Sequence, residues 1–330
     1  MAEKLGTGLQ NLVDGSVTRT HLHEEDKEPK GLFLLKVAVY QQTITVNNMA
    51  AGREQVIQAT DILRKLPAHG KYAVDLYRAC GFMASAHVAW GRLQNGSGRL
   101  FTGTMGELLH PFYFTGNPSD VSMLREVRTS GIYRHLSKSA DNTTTNPILD
   151  LGANIGTTAT FFASRFPNAR VTAVEPDPRC VTILHRNLDP YGDRVDIISA
   201  AVSNEPGTAH QLNRAAELGN NYCAYRYGIH PEQEGETPGV LGVPAVTLPE
   251  LYEKMGSPDR IAVLKLDIEG NEREIGDPLR ELLEITDKFV AETHDRFRPG
   301  AHAVVMQAAG AAGLELAMKV GEDHLFVRAA

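Results

Sequence analysis

Residues 147–156 read Pro147-Ile148-Leu149-Asp150-Leu151-Gly152-Ala153-Asn154-Ile155-Gly156. A short apolar strand carries an acid, turns through Gly-x-Asn-x-Gly, and opens an apolar helix. A strand that feeds a glycine turn and a helix start is a nucleotide-type binding unit, because backbone N–H groups there face an anion. It is not the dinucleotide version. That fingerprint needs G-x-G-x-x-G, whereas here Gly152 fills the first place, Asn154 the second and Thr157 the third. Asp150, two residues before the first glycine, is also foreign to an apolar NAD strand. An NAD-dependent oxidoreductase is disfavoured on these grounds.

Downstream of this turn the pattern alternates strand and helix, which implies a parallel sheet with helices on both faces. Strands are predicted over 147–151, 170–175, 194–199, 261–267 and 288–292. Helices are predicted over 155–165, 177–188, 271–284 and 300–311. Residues 314–319 and 324–327, joined by Gly321-Glu322-Asp323, read as a hairpin. Residues 214–242, rich in Gly, Asn, Tyr and Pro, are too long for an ordinary connection, and loops of that length often act as lids. Tyr222, Tyr225 and Tyr227 are its candidate wall residues. Upstream, residues 1–30 form a polar arm, and residues 31–48 a strand or hairpin. Spacing of Val56, Ile57, Leu63 and Leu66 predicts a helix over 51–66, and a second follows over 71–93. Pro111–Phe114 reads as a short strand. Ser119 or Asp120 caps a helix to about Val127. The polar run 137–146 marks a boundary. The expected division is an arm (1–30), a mixed, largely helical extension (31–140) and a sheet domain (141–330).

The totals narrow the function classes. The chain has 330 residues, with 33 basic and 40 acidic side chains and a net charge of −7. It lacks the basic footprint that a nucleic-acid partner requires. The longest apolar run, Leu32–Leu35, is far too short to span a bilayer, and the first thirty residues lack the apolar core of a signal peptide. Cys80, Cys180 and Cys223 show no C-x-x-C spacing and fit three small buried thiols in a reducing compartment. The expectation is a cytoplasmic protein with neither membrane nor nucleic-acid partner.

In open α/β sheets the ligand sits beyond the carboxyl ends of the strands, and four strand ends here carry suitable groups. Asp150, Gly152, Asn154 and Gly156 form the first, where backbone N–H groups can receive a carboxylate. Glu175, in Val174-Glu175-Pro176-Asp177, can accept hydrogen bonds from two ribose hydroxyls. In Leu264-Lys265-Leu266-Asp267-Ile268-Glu269-Gly270 an apolar strand delivers Asp267 and Glu269 to the rim. In Ala291-Glu292-Thr293-His294, alternation puts Glu292 and His294 on one face. A histidine beside a carboxylate suits a general base. Asp267, Glu292 and His294 equally suit a divalent cation, and for His294 a structural role stays open.

Taken together, ILDLGANIG, VEPDP, ISAAVSNEPG, VTLPEL, LKLDIEGNE and ETH resemble, in order and spacing, the FkbM-type S-adenosylmethionine-dependent methyltransferases. The resemblance runs from about residue 111 to 294. It implies a Rossmann-like class I methyltransferase sheet of seven mostly parallel strands closed by a C-terminal antiparallel hairpin. It implies S-adenosylmethionine as cofactor and oxygen methylation of a sugar or secondary metabolite as the activity. By the same resemblance Asp150, Gly152, Asn154 and Gly156 hold the methionine part. Glu175 with Pro176 holds the ribose, and Ser199, Ala200 and Ala201 lie by the adenine. Asp267 stands near the reacting end, supported by Glu269 and Glu272. Asn271 departs from the family, which often has a small residue there. Methylation of a base amino group is disfavoured, because Asp267-Ile268-Glu269-Gly270 replaces the Asn/Asp-Pro-Pro-aromatic run of amino methyltransferases.

The expected chemistry is in-line transfer to a hydroxyl of a small-molecule acceptor. Alignment supplies roughly 7–11 kcal/mol and a general base about 10²–10⁴-fold. His294 is the first choice of base and Asp267 the second, and His294→Ala is expected to abolish turnover while leaving cofactor binding intact. The N-terminal hundred residues are read as a lid over the acceptor or as the contact of a homodimer. A non-catalytic binding protein on the same fold is the alternative that turnover alone excludes.

Overall fold

The computed structural model describes residues 43–48, 53–58, 100–106, 108–115, 118–139, 141–212, 227–228, 238–295 and 299–328. The chain divides into two compact units, Met1–Val74 and Asp75–Ala330.

In the first unit, β1 (Thr43–Asn48) and β2 (Arg53–Gln58) form an antiparallel hairpin, in register from Thr43↔Gln58 to Asn48↔Arg53. The strand expected within 31–48 is present at its end. The helix expected over 51–66 is corrected, because residues 53–58 are a strand. Two adjacent β-branched residues, Val56 and Ile57, cannot separate the two periods in so short a stretch. Pairing with β1, in which Ile44 stands opposite Ile57 and Thr45 opposite Val56, accompanies the extended state. The arm at 1–30 and the helix expected over 71–93 lie outside the described residues.

The second unit opens with β3 (Phe101–Gly103) paired antiparallel to β4 (Phe112–Phe114), then α1 (Pro118–Thr129) and α2 (Gly131–Ser139). The helix begins at Pro118, so Asp120 sits in its first turn rather than at the cap. Its Oδ2 accepts from the Thr115 N–H and hydroxyl, each at 2.7 Å. The second helix, α2, was not foreseen, and it occupies the start of the supposed linker.

Within Asp75–Ala330 the segment before the sheet and the sheet itself belong to one compact unit. Asn187, wholly buried, shows how the two parts are joined. Its Oδ1 accepts from the Tyr113 N–H at 2.6 Å, and its Nδ2 donates to the carbonyls of Tyr113 at 2.9 Å and Ile155 at 2.7 Å. One amide thereby fastens β4 to the glycine turn.

The main sheet contains β5 (Ile148–Leu151), β6 (Val171–Val174), β7 (Val195–Ile198), β12 (Ile261–Leu266), β13 (Thr286–Glu292), β14 (Leu314–Val320) and β15 (Asp323–Arg328). Its order is β14-β15-β13-β12-β5-β6-β7. The five strands from β13 to β7 run parallel, and β15 and β14 return antiparallel. This is the class I methyltransferase sheet expected from the sequence, hairpin included. The parallel strands read as unbroken apolar runs because helices cover both faces. On one face Leu149, Leu264, Leu266, Phe289 and Phe326 pack with α5 (Leu248–Lys254), α6 (Gly276–Glu284) and α7 (Ala301–Ala311). Each such side chain contributes about 1.5–3 kcal/mol by leaving water. Around the other face lie α1, α2, α3 (Thr157–Arg165) and α4 (Pro178–Leu188), where Tyr133 meets Phe161 edge-on at 5.5 Å.

A smaller sheet was not foreseen. It joins β8 (Ala201–Val202), β9 (Gly207–Leu212), β10 (Tyr227–Gly228) and β11 (Pro238–Val246) in the order β10-β9-β11-β8. The long run at 214–242 is therefore entered by strands at both Tyr227 and Pro238. Residues 213–226 and 229–237, with Tyr222 and Tyr225, lie outside the described residues. Thr247 then starts α5 with a capping box closed by Glu250.

Among the described residues no helix is long and apolar enough to cross a membrane. Cys180 is disulfide-bonded, against the expectation of three free thiols.

Candidate active site

A cleft opens beyond the carboxyl ends of β5, β6 and β12. Gly152 and Asn154 form one wall, Glu175 and Pro176 the next, Ala200 and Ala201 a third, and Asp267 and Glu269 close the far end. Tyr227 and Asn271 complete it.

The glycine turn is dictated by backbone crowding. Gly152 stands at φ 80°, and a Cβ there would lie 1.7 Å from the Asp267 carbonyl oxygen. Only glycine lets β5 and β12 end this close together. Asn154 is also left-handed, at φ 53°, a conformation asparagine tolerates better than most residues. Its backbone N–H donates to Glu175 Oε2 at 2.8 Å, and its own Oδ1 accepts from Ile155 N–H at 2.6 Å. Gly156, at φ 92°, does not reach the cleft. A Cβ there would meet Leu184 at 2.7 Å, so its task is to let α3 and α4 pack.

Asp150 is likewise placed beneath the cleft rather than in it. It is fully buried, and its Oδ2 accepts from Thr158 Oγ1 at 2.5 Å. Burial raises its pKa, while Lys265 and Thr158 oppose the rise. The sequence reading passed over Lys265, although a lone lysine inside the apolar run IAVLKL was the available signal. Lys265 is buried in mid-sheet. Its Nζ donates to Gly152 O at 2.8 Å and to Asp267 Oδ2 at 3.1 Å, and stands 3.5 Å from Asp150 Oδ1. Burial works against its charge, but Asp267 and Asp150 outweigh burial and raise its pKa. One ammonium thus ties the turn after β5 to the acid after β12.

Glu175 is fixed by two backbone donors. Its Oε2 accepts from Asn154 and its Oε1 from Asp177, both at 2.8 Å. Burial pushes its pKa up to about 8, against the pull of those two bonds. Asp177 caps α4 and pairs with Arg179. Ala200 and Ala201 line the cleft as expected, whereas Ser199 is exposed and is not part of its wall.

At the far end the strand termini of β12 and β13 bring four carboxylates around His294. Its Nδ1 lies 2.9 Å from Glu272 Oε1, and its Nε2 lies 3.5 Å from Glu269, 3.7 Å from Asp267 and 3.7 Å from Glu292. His294 is 1% exposed and Glu272 fully buried. Burial acts against charge on the imidazole, but the Glu272 hydrogen bond and the Asp267 and Glu269 carboxylates raise its pKa to about 10. Burial and Asp267 push Glu292 up to about 9, with His294 opposing. Two further acids join from elements that sequence reading did not connect with the site. Glu126 of α1 is raised to about 8 by burial, then by Asp323 and Asp267. Asp323 of β15 is raised to about 6 by burial and Asp267. Asn271, buried beside the cleft, donates to the carbonyls of Val202 at 3.3 Å and Tyr227 at 2.6 Å. The departure at Asn271 thus ties the small sheet to the end of β12.

The donor set fits S-adenosylmethionine. The cleft lies beyond the carboxyl ends of the strands, where open α/β sheets bind ligands, its backbone approach at Gly152 admits no side chain, and each fixed Glu175 oxygen keeps a lone pair for a ribose hydroxyl.

Residues 150–297 match the methyltransferase FkbM domain. A Sordaria araneosa protein, methyltransferase sdnD, is 29% identical over 162 residues, covering 41% of this chain and 61% of its own length. The match thus spans about three fifths of that curated relative. Among solved structures, Aeropyrum pernix fibrillarin with natively bound S-adenosyl-L-methionine is similar at 16% identity, covering 56% of this chain and 66% of that one, with a TM-score of 0.32. The precorrin-6y C5,15-methyltransferase of Geobacter metallireducens is similar at 15% identity, covering 61% of this chain and 90% of that one, with a TM-score of 0.34. TM-scores this low carry no functional argument.

Proposed function

From a chain whose residues 150–297 form a methyltransferase FkbM domain, we infer an S-adenosylmethionine-dependent methyltransferase that acts on a hydroxyl of a small-molecule acceptor, a sugar or secondary metabolite. The observation that carries this reading is the junction made by Gly152, Lys265 and Asp267. It sets a cofactor turn and a carboxylate-rich rim side by side in one cleft. The bound cofactor supplies a methyl group already activated on a sulfonium. The protein's part is to align, to exclude water and to take up a proton.

Gly152 and Asn154 present backbone to the methionine part, and Glu175 with Pro176 holds the ribose. Ala200, Ala201 and Val202 give an apolar bed for the adenine, with Tyr227, which packs with Ala201, lining the same cleft. Asp150 and Gly156 act from beneath by holding the turn in shape. The proton-accepting role goes to Asp267, the second choice from the sequence, because it forms the cleft wall. His294 is sealed behind it with Nδ1 engaged by Glu272, and supplies charge and orientation. Glu126 supports a wall or lid role for the extension preceding the sheet, since α1 brings it within electrostatic reach of Asp267 and Glu292.

Calorimetric titration with S-adenosylhomocysteine and, separately, NAD tests the cofactor. Micromolar binding of S-adenosylhomocysteine alone is expected, and binding of NAD alone would sink the reading. A screen of hydroxylated against amino acceptors with labelled cofactor then tests the oxygen specificity. Labelling only of amines would overturn it, and cofactor binding with no turnover on any acceptor would favour the non-catalytic alternative.

A further inference from the structure

Asp267, Glu292 and His294 leave the ends of two neighbouring strands, and each offers a ligand atom within 4.8 Å of the other two. Around His294 Nε2 the carboxylate oxygens of Glu269, Asp267 and Glu292 stand at 3.5, 3.7 and 3.7 Å. These separations exceed the ~2.7–3.2 Å of an N–H···O bond. Donor atoms about 2.1–2.2 Å from one ion stand about 3.0–3.6 Å apart in octahedral or tetrahedral sites, close to these separations. A single imidazole nitrogen has one proton to give, which cannot serve three carboxylates at once.

Two observations besides the carboxylate count point to a cation. The first is the imidazole itself, 1% exposed and turned with Nε2 into the cluster because Glu272 engages Nδ1. A ligating histidine characteristically donates its other N–H to such a carboxylate, which fixes tautomer and ring plane. The second is Glu272 Oε2, fully buried and without a hydrogen-bond partner. That oxygen is an unused acceptor on the carboxylate that holds the imidazole in place.

We propose that Asp267, Glu292 and His294, with Glu269 beside them, hold one divalent cation at the acceptor end of the cleft. Glu272 is the residue that positions His294 for it. Carboxylates with one imidazole suit a first-row dication such as Mn²⁺. The site rests on the methyl-transfer reading only for its task, which is to draw in the acceptor oxygen and make its hydroxyl more acidic.

The test is titration of the EDTA-treated full chain with Mn²⁺ alone, followed by electron paramagnetic resonance of the free ion. One Mn²⁺ per chain is expected. His294→Ala and Glu292→Gln should lose it, and Glu272→Gln should weaken it by about 10–100-fold. S-adenosylhomocysteine titration of the same samples shows that the variants are folded. No Mn²⁺ bound by the wild type, or unchanged binding in folded His294→Ala and Glu292→Gln, overturns the cation site while leaving the methyltransferase reading in place. Failure of the wild type to bind S-adenosylhomocysteine strikes that reading instead, and the Mn²⁺ result stands apart from it.

Discussion

Gly152 and Glu175 show how single residues set the cleft. At Gly152 a side chain meets both a left-handed backbone and the Asp267 carbonyl 1.7 Å away. Gly152→Ala is therefore expected to abolish S-adenosylhomocysteine binding by calorimetry and to lower the thermal midpoint as well. Retained affinity would show that β5 and β12 can separate without harm. Glu175 carries a pH signature. Its pKa in the fold is raised from the ordinary 4.5 to about 8, so the ionised form costs stability. That cost is absent below the unfolded value and complete above about pH 8, and stability falls between them on this group's account. Ribose hydroxyls that donate to the carboxylate favour its ionised form. Binding of S-adenosylhomocysteine should then release a proton at pH 7, and affinity should rise toward pH 8. Calorimetry in buffers of different ionisation enthalpy reads the proton directly. Glu175→Gln should bind weakly and release none, and equal release by that variant would exclude Glu175 as the source. The glycine, the asparagine and this acid were all legible in sequence because their chemistry is local to one turn. Lys265 was legible only as an oddity, since nothing in IAVLKL says which carboxylates await it.

Among elements, the link between β4 and the glycine turn rests on Asn187. Removing that amide strands the Tyr113 N–H and two carbonyls in a closed interior. An unsatisfied buried group costs about 1–3 kcal/mol, so Asn187→Ala is expected to destabilise the protein by about 2–4 kcal/mol in urea unfolding. A loss under about 0.5 kcal/mol, the range of ordinary surface substitutions, would mean that water replaces the side chain. The periodic elements of the sheet were readable because helix and strand patterns persist over whole segments. The hairpin at Thr43–Gln58 and the strands on either side of the long loop were not. There the apolar pattern is short or diluted by Gly and Pro, and pairing with a distant partner decides the state.

At the scale of the molecule the site is a meeting of chain ends. Glu126, Asp150, Lys265, Glu292 and Asp323 come from five separate elements to one end of the sheet. Lys265 is the cation that binds two of its acids, Asp150 and Asp267. Breaking a buried charge pair on one side costs about 3–5 kcal/mol, because the remaining carboxylates are left uncompensated. Lys265→Met should destabilise by that amount at pH 7, measured by urea unfolding, and less at acidic pH, where Asp150, whose pKa burial raises, is protonated. An equal loss at both pH values would assign the effect to packing instead of charge.

By itself, the sequence determined the class of sheet, the glycine turn and the acids at the strand ends, because each is encoded within a few consecutive residues. Only the tertiary structure decided that Asp150 and Gly156 lie beneath the cleft, that Lys265 joins two strand ends, and that His294 sits sealed among four carboxylates. Those outcomes depend on distances between strands adjacent in the sheet and remote in the chain. Burial then changes what each charged group can do.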